Sequence, residues 1–292
     1  MNSSCSTEDN PIKIPDEISI FELPEYSDKA TEFVIQEGKI VADGASLTAI
    51  NFTESGKAII EVTKGGRVHY VTYNASITED GSLSITDVNG NKVGSIPSVF
   101  SRSSENTKIT VDLTVIIDGK TYYFKATDPV DVLKSVQSLV GSNSKNTNNV
   151  ARTWKVASMN IVIEGDVEVS MLERSGNLKV FADAAIDAGA KLTADEYRVL
   201  SKTINSITLD KNGLFSIEYT DNSSDACTWR WTNDKQMEFL LEPRKNPQFG
   251  NKFVPLNSKI TVNFAQSNIV LTLKTDITGS EKYKVTLTFV LK

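Results

Sequence analysis

The scarce side chains of this 292-residue sequence are three tryptophans, one histidine and two cysteines, and they limit the chemistry open to it. Trp229 and Trp231 flank Arg230, so on a strand the two indoles share one face and the guanidinium takes the other. Paired indoles facing a groove stack on a sugar ring or line an apolar pocket; on the inside of a barrel they are simply its core. Tyr73 and Trp154 are further candidates for a ligand wall, with the same two readings. Glu61 and Glu218 are the acids a carboxylate-dependent hydrolase would use, although an acid on a strand is expected to point outward into solvent. His69 stands between Val68 and Tyr70 with no nucleophile motif to serve. Cys5, Cys227 and His69 lack the close spacing of a zinc site. Asp87 to Lys92 has a calcium-loop flavour, but Lys92 and Ser98 stand where an EF-hand needs Gly and Glu, so an Asn-Gly hairpin is expected. Lys64-Gly65-Gly66-Arg67 lacks phosphate-loop spacing and is expected to join two strands. No residues are assigned to catalysis, a metal or a cofactor.

Composition narrows the classes further. With 31 basic and 37 acidic residues the formal charge is −6, and 39% of residues are apolar, as in ordinary globular proteins. The absence of a basic run argues against a surface that tracks nucleic-acid phosphates. No segment reaches the roughly 18 apolar residues of a membrane-spanning helix.

The elements that must position these side chains are mostly strands. Ile109, Val111, Leu113, Val115 and Ile117 alternate up to Asp118-Gly119, and Tyr122 to Phe124 resume on the return. Ile269, Leu271 and Leu273 repeat the pattern, followed by Thr278-Gly279 and alternation from Tyr283 to Leu291. Asp80-Gly81, Asn89-Gly90 and Asn212-Gly213 mark further hairpins. Two segments read as helices. Asp128 as N-cap, Pro129, then Val130, Leu133, Val136 and Val140 describe one, with Gly141 as its stop. Thr193 to Glu196 is a capping box opening about three turns with Tyr197, Leu200 and Ile204 on one face. Ala182 to Ala190 fits helix or loop. Pro11, Pro15 and Pro24 keep the N-terminal tail extended.

Ile50 to Thr63 aligns without gaps on Ile207 to Thr220, an offset of 157, and Ile109, Leu113, Ile117, Gly119 and Tyr123 match Ile269, Leu273, Ile277, Gly279 and Tyr283 at an offset of 160. The expectation is a mainly β chain of two tandem antiparallel β-barrel or β-sandwich domains with two short helices. The boundaries read as a flexible tether at 1–25, a first β domain at 26–142, a polar linker at 143–149 and a second β domain at 150–292.

Val150-Ala151-Arg152-Thr153-Trp154-Lys155-Val156 resembles the opening strand of lipocalin-like domains, where Gly-x-Trp places an indole at the base of the barrel; here Arg152 replaces the Gly. Ser3-Ser4-Cys5-Ser6-Thr7-Glu8-Asp9 resembles the end of a bacterial lipoprotein signal with the acidic export signal of Bacteroidetes surface lipoproteins behind it, with Asn2 in place of the usual aliphatic residue. The resemblances imply lipidation at Cys5, a place in the cell envelope at the outer-membrane surface, and a non-enzymatic binding protein for a lipid, glycan or other small ligand. The alternative is an adhesin or assembly component acting through its outer surface and strand edges. No nucleic-acid partner is expected, and the oligomeric state stays open.

Overall fold

The computed structural model describes residues 32–53, 55–79, 82–96, 106–135, 145–166, 168–187, 189–211, 213–233, 235, 237–242, 257–277 and 282–292. The expectations at 1–25, Cys5, Asp80-Gly81, Asn212 and Thr278-Gly279 lie outside these residues. Among them, no helix is long and apolar enough to cross a membrane.

Among the described residues, nine strands make up the first half: β1 (Glu32–Ile35), β2 (Val41–Ala42), β3 (Ala45–Phe52), β4 (Lys57–Lys64), β5 (Arg67–Ile77), β6 (Leu83–Thr86), β7 (Lys92–Ile96), β8 (Asn106–Ile117) and β9 (Lys120–Ser135). From β3 to β9 each strand pairs antiparallel with the next, and β1 pairs with both β9 and β3, which closes an eight-stranded barrel. Alternation carries Phe52, Ile60, Val71, Ile85, Leu113 and Phe124 inward, where they are buried in one core. The turns obey local stereochemistry. Asp118 (φ +51°) and Gly119 (φ +75°) both adopt the left-handed region that a two-residue hairpin requires.

The remaining elements are α1 (Lys145–Val150), β10 (Thr153–Trp154), β11 (Val156–Gly165), β12 (Val169–Glu173), α2 (Lys179–Asp187), α3 (Ala194–Leu200), β13 (Ile204–Leu209), β14 (Leu214–Tyr219), β15 (Ser223–Trp231), β16 (Glu238–Glu242), β17 (Lys259–Phe264), β18 (Ile269–Ile277) and β19 (Tyr283–Leu291). Strands β13 to β19 pair in sequence order. The segment carrying β10 and β11 pairs with β13 at its start and with β19 along its length. The inner faces of these strands, with α2 and α3, enclose a second core.

Two local expectations are corrected, and the segment expected as a linker contains a helix. Residues 128–135 are not helical: β9 runs straight through Pro129. The register with β8 shifts between Ile109 and Val111, so Thr127, Asp128 and Pro129 face a single residue, and a proline without an N–H costs no ladder bond there. Val130 and Val132 then serve a period of two rather than 3.6; Val136, Val140 and Gly141 lie outside the described residues. The polar run expected as a linker forms α1 from Lys145 onward, with Thr147 and Val150 buried. The Thr193 capping box is present, with Thr193 bonded to the Glu196 amide and Glu196 to the Thr193 amide, but α3 ends at Leu200 and Ile204 opens β13. The alanine-rich segment is helical through Asp187.

The sequence match at offset 157 has a structural counterpart. Phe52 pairs with Ala58, Asn51 with Ile59, Ile50 with Ile60 and Ala49 with Glu61; Leu209, Thr208, Ile207 and Ser206 pair with Phe215, Ser216, Ile217 and Glu218. The register shifts at the same point in both hairpins, between Leu47 and Ala49 and between Ile204 and Ser206. The match at offset 160 holds along β8 and β18 but not beyond: Ile117 pairs with Lys120, whereas Ile277 pairs with Tyr283 across a longer turn.

Glu61 and Glu218 point away from the cores that their own strands enclose, as expected, but neither is solvated: they are 3% and 2% exposed. The outer faces of β3–β5 and β13–β15 pack against each other, with Ile59, Val68, Tyr70, Leu214 and Ala226 in one apolar cluster. β5 also pairs directly with β15, Val71 with Ser223 and Tyr70 with Ser224. Lys57 crosses the seam: its Nζ lies 3.1 Å from Glu218 Oε2 and 2.8 Å from Asn74 Oδ1. Ser206 Oγ donates to the same Glu218 oxygen at 2.5 Å, and Thr48 Oγ1 donates to Glu61 Oε1 at 3.0 Å.

Breaking one side of a buried ion pair leaves an uncompensated charge, so Lys57→Met is expected to cost about 3–5 kcal/mol in denaturant unfolding. Adding Glu218→Gln should restore most of it. A loss below about 0.5 kcal/mol for Lys57→Met, in the range of neutral surface changes, would contradict the seam as described.

Candidate functional site

The four aromatic candidates do not converge on one place. Trp154, Trp229 and Trp231 belong to the second core and Tyr73 to the first, and all four are buried. Trp229 and Trp231 share the inner face of β15 while Arg230 is exposed and meets Glu242 at 3.0 Å. The two indoles are T-shaped with centroids 5.2 Å apart, and Phe239 completes the cluster.

Each indole N–H is committed within the protein. Trp229 Nε1 donates to Asp210 O, Trp231 Nε1 to Thr147 Oγ1 and Trp154 Nε1 to Val150 O, each at 2.9 Å. The last two acceptors belong to α1, so that helix and the two indoles form one plug at this end of the second half. Asn146 Nδ2 extends it by donating to Lys235 O at 3.3 Å. In the first half, Tyr73 donates to Thr114 O at 3.2 Å, and burial pushes its phenol up to about 12. His69 pairs with Val62 and is half-buried, and burial holds its imidazole below the usual range. Cys227 is buried on the inner face of β15. Asp87 serves its own hairpin: Asn91 Nδ2 donates to its carboxylate at 2.9 Å, the backbone amides of Asn89 and Asn91 add two more bonds, and its pKa is lowered accordingly. Among the described residues, no group of three or more His, Cys, Asp or Glu side chains could hold a metal ion.

A different pair stands out, and no reading of motifs finds it. Asp225, Cys227, Trp229 and Trp231 alternate along β15, which puts a carboxyl on the face that otherwise carries the core. Tyr219, the last residue of β14 and also inward, donates its hydroxyl to Asp225 Oδ2 at 2.6 Å. Burial, above all, raises the Asp225 pKa, against the opposing pull of the Tyr219 bond, Lys202 and Arg198. Burial, and then the Asp225 charge, pushes the Tyr219 phenol well above its ordinary value. Lys202 Nζ lies 5.0 Å from the Tyr219 ring centroid, bonds Ser223 Oγ and stands 3.6 Å from Asp221 Oδ2. Asp225 lies six residues from Trp231, so about 20 Å of strand separates this pair from the α1 plug.

The first half has nothing of the kind in the same register. Leu47 faces Val62 where Ile204 faces Tyr219, and Ile60 faces Val71 where Ile217 faces Asp225. The signal available in the sequence was the two-residue spacing from Asp225 to Cys227 and the tryptophans.

No protein-family model matches the chain, and no curated protein does. Among solved structures, it is similar to a protein of unknown function from the DUF3598 family of Nostoc punctiforme, at 10% identity over 92% of this chain and 97% of that one, with a TM-score of 0.26. The inhibitor of motility from Bacillus subtilis is similar at 12% identity over 80% of this chain and 87% of that one, with a TM-score of 0.14.

An acid whose pKa is higher folded than unfolded holds its proton better in the folded state, so stability falls as pH rises from 3.8 through the folded pKa. Asp225→Asn preserves an acceptor for Tyr219 and removes that loss. Its Tm is expected to exceed that of the parent at about pH 7, with the gap closing below about pH 3. An unchanged gap across this range would show that Asp225 is not the titrating group.

Proposed function

We propose that this chain is a non-enzymatic binding protein that holds a lipid, glycan or other small molecule within its second half, tethered to the cell envelope by a lipid on Cys5. The observation that carries the reading is the contrast between two ends of one β structure. One end is filled by α1, Trp154 and Trp231, which satisfy each other's hydrogen bonds. Toward the other, β14 and β15 bring a phenol and a carboxyl onto an apolar inner face. A half-buried acid among core side chains costs stability, as functional groups in binding sites commonly do.

On this reading the halves are sibling lipocalin-like domains. The identical register of the two hairpins around Glu61 and Glu218 supports common ancestry, and the plug built on Trp154 supports the lipocalin-like resemblance. The envelope address rests on Ser3 to Asp9 alone. A second reading, as an adhesin or assembly component, draws on β12: its one described strand partner is β11, and Leu172 is 59% exposed.

The three tryptophans all lie in the second half, so their fluorescence reports on that half alone. Titration with 10-bromodecan-1-ol, a neutral apolar quencher, is expected to give saturable quenching; purely linear, collisional quenching would overturn internal binding. For the tether, metabolic labelling with an alkyne fatty acid in the native cells should mark the chain and fail with Cys5→Ser. An unlabelled parent chain would remove the anchor from the proposal.

A further inference from the structure

β12 leaves one side of its backbone unspent. Val169–Glu173 pairs antiparallel with β11, from Ile163 back to Met159, and among the described residues its other side makes no backbone bond. Such a row of N–H and C=O groups is a template for another strand. Alternation sorts the side chains. Val169 and Met171 pack against the second core, while Ser170 and Leu172 take the opposite face, where both are exposed. α2, the next element, buries Ala182 and Ala185 in that same core, away from the Leu172 face. Glu168 and Arg174 flank the strand with the parity of Leu172. Both are exposed, and among the described residues neither is in an ion pair.

The order of these residues is self-complementary. Met171 is the middle residue of β12, so antiparallel pairing of two copies about a two-fold axis at Met171 aligns the whole strand with itself. On the outer face this sets Glu168 opposite Arg174 at both ends and Ser170 opposite Leu172 between them. The two Leu172 side chains become diagonal neighbours about 7–8 Å apart, which withdraws from water an apolar side chain that is 59% exposed in the single chain. Glu173 falls opposite Val169, and its carboxylate already has partners in Ser175 Oγ and the backbone amides of Arg174 and Ser175. Parallel pairing in register sets Glu168 against Glu168 and Arg174 against Arg174. Charge therefore selects the antiparallel arrangement.

We propose that two copies of this chain pair through β12, antiparallel about a two-fold axis at Met171, and so form one continuous sheet across a homodimer. The contact closes at two chains, because each uses its one open edge of β12 on the other. A single pair of five-residue strands falls short of the roughly 1,000 Å² of a standard interface, so the dimer is a weak one. The proposal rests on the strand-edge reading given above and names its partner as a second copy; it does not depend on internal binding.

Sedimentation velocity of the full chain over about 5–500 µM is expected to show monomer passing to dimer, with a Kd on the order of 10–100 µM. Glu168→Arg and Arg174→Glu each place like charges at both ends of the strand pair and should each weaken dimerisation about tenfold or more. The double variant exchanges the two charges and should return the Kd to within about threefold of the parent. Leu172→Lys should weaken the dimer as well. All three side chains are exposed in the single chain, so the fold is expected to survive each change. A parent chain that stays monomeric throughout, or that grows past the dimer, would overturn the proposal. A dimer indifferent to the single reversals would move the contact to another surface, and a double variant that does not recover would remove the register; either result also overturns it. Binding of a different protein at β12 without self-association would keep the strand-edge reading and eliminate the second copy. Quenching by the brominated alcohol is read separately, so neither measurement decides the other.

Discussion

The seam between β3–β5 and β13–β15 is the constraint on which the rest of the molecule depends. A row of cross-strand partners runs through it: Glu61 faces Tyr70, Tyr70 faces Ser224, and Ser224 faces Glu218. All four are buried, so two carboxyl groups in equivalent hairpins lie on one continuous ladder with no bulk water to solvate them. Buried charges persist only where partners are supplied. Lys57 and Ser206 supply them for Glu218, and Thr48 contributes a hydroxyl for Glu61. The two sites are not copies: the register equivalent of Lys57 is Leu214, so a cation from the first half serves the acid of the second.

This arrangement makes β14 and β15 work on both faces. Glu218 and Ser224 look toward the first half, while their chain neighbours Tyr219 and Asp225 look into the second core. The turn between these strands is held from outside as well, since the Thr72 amide donates to Asn222 O at 3.1 Å. The inner pair is thus positioned by a strand connection whose other side is pinned to the first half. Rigid strands, rather than a loop, set the direction in which the Asp225 carboxyl points.

Much of this was legible one element at a time. Alternation through Ile109 to Ile117, the Asp118-Gly119 turn, the Thr193 capping box and the shared face of Trp229 and Trp231 are local properties, and each appears in the fold as spacing and backbone preference require. Where two periods fit the same residues, locality was not enough. Val130 to Leu133 suit a helix by spacing, but β8 and β1 offer ladder partners on both sides, and a register shift absorbs Pro129. The polar run at 145–149 likewise gave no hint that Thr147 would accept a hydrogen bond from Trp231, 84 residues away.

Sequence alone determined the β character, most of the hairpins and which side chains share a face, because these follow from a two-residue repeat and from the φ preferences of Gly, Asn and Asp. Tertiary structure decided what each face meets. Glu61 and Glu218 turn outward from their strands as alternation demands, yet whether outward means water or a second sheet depends on distant contacts such as that of Lys57 with Glu218, 161 residues away. The same holds for Asp225, whose inward direction was readable from Cys227 and Trp229. Its partner Tyr219 and the paired cations beside it came together only when the chain closed around them.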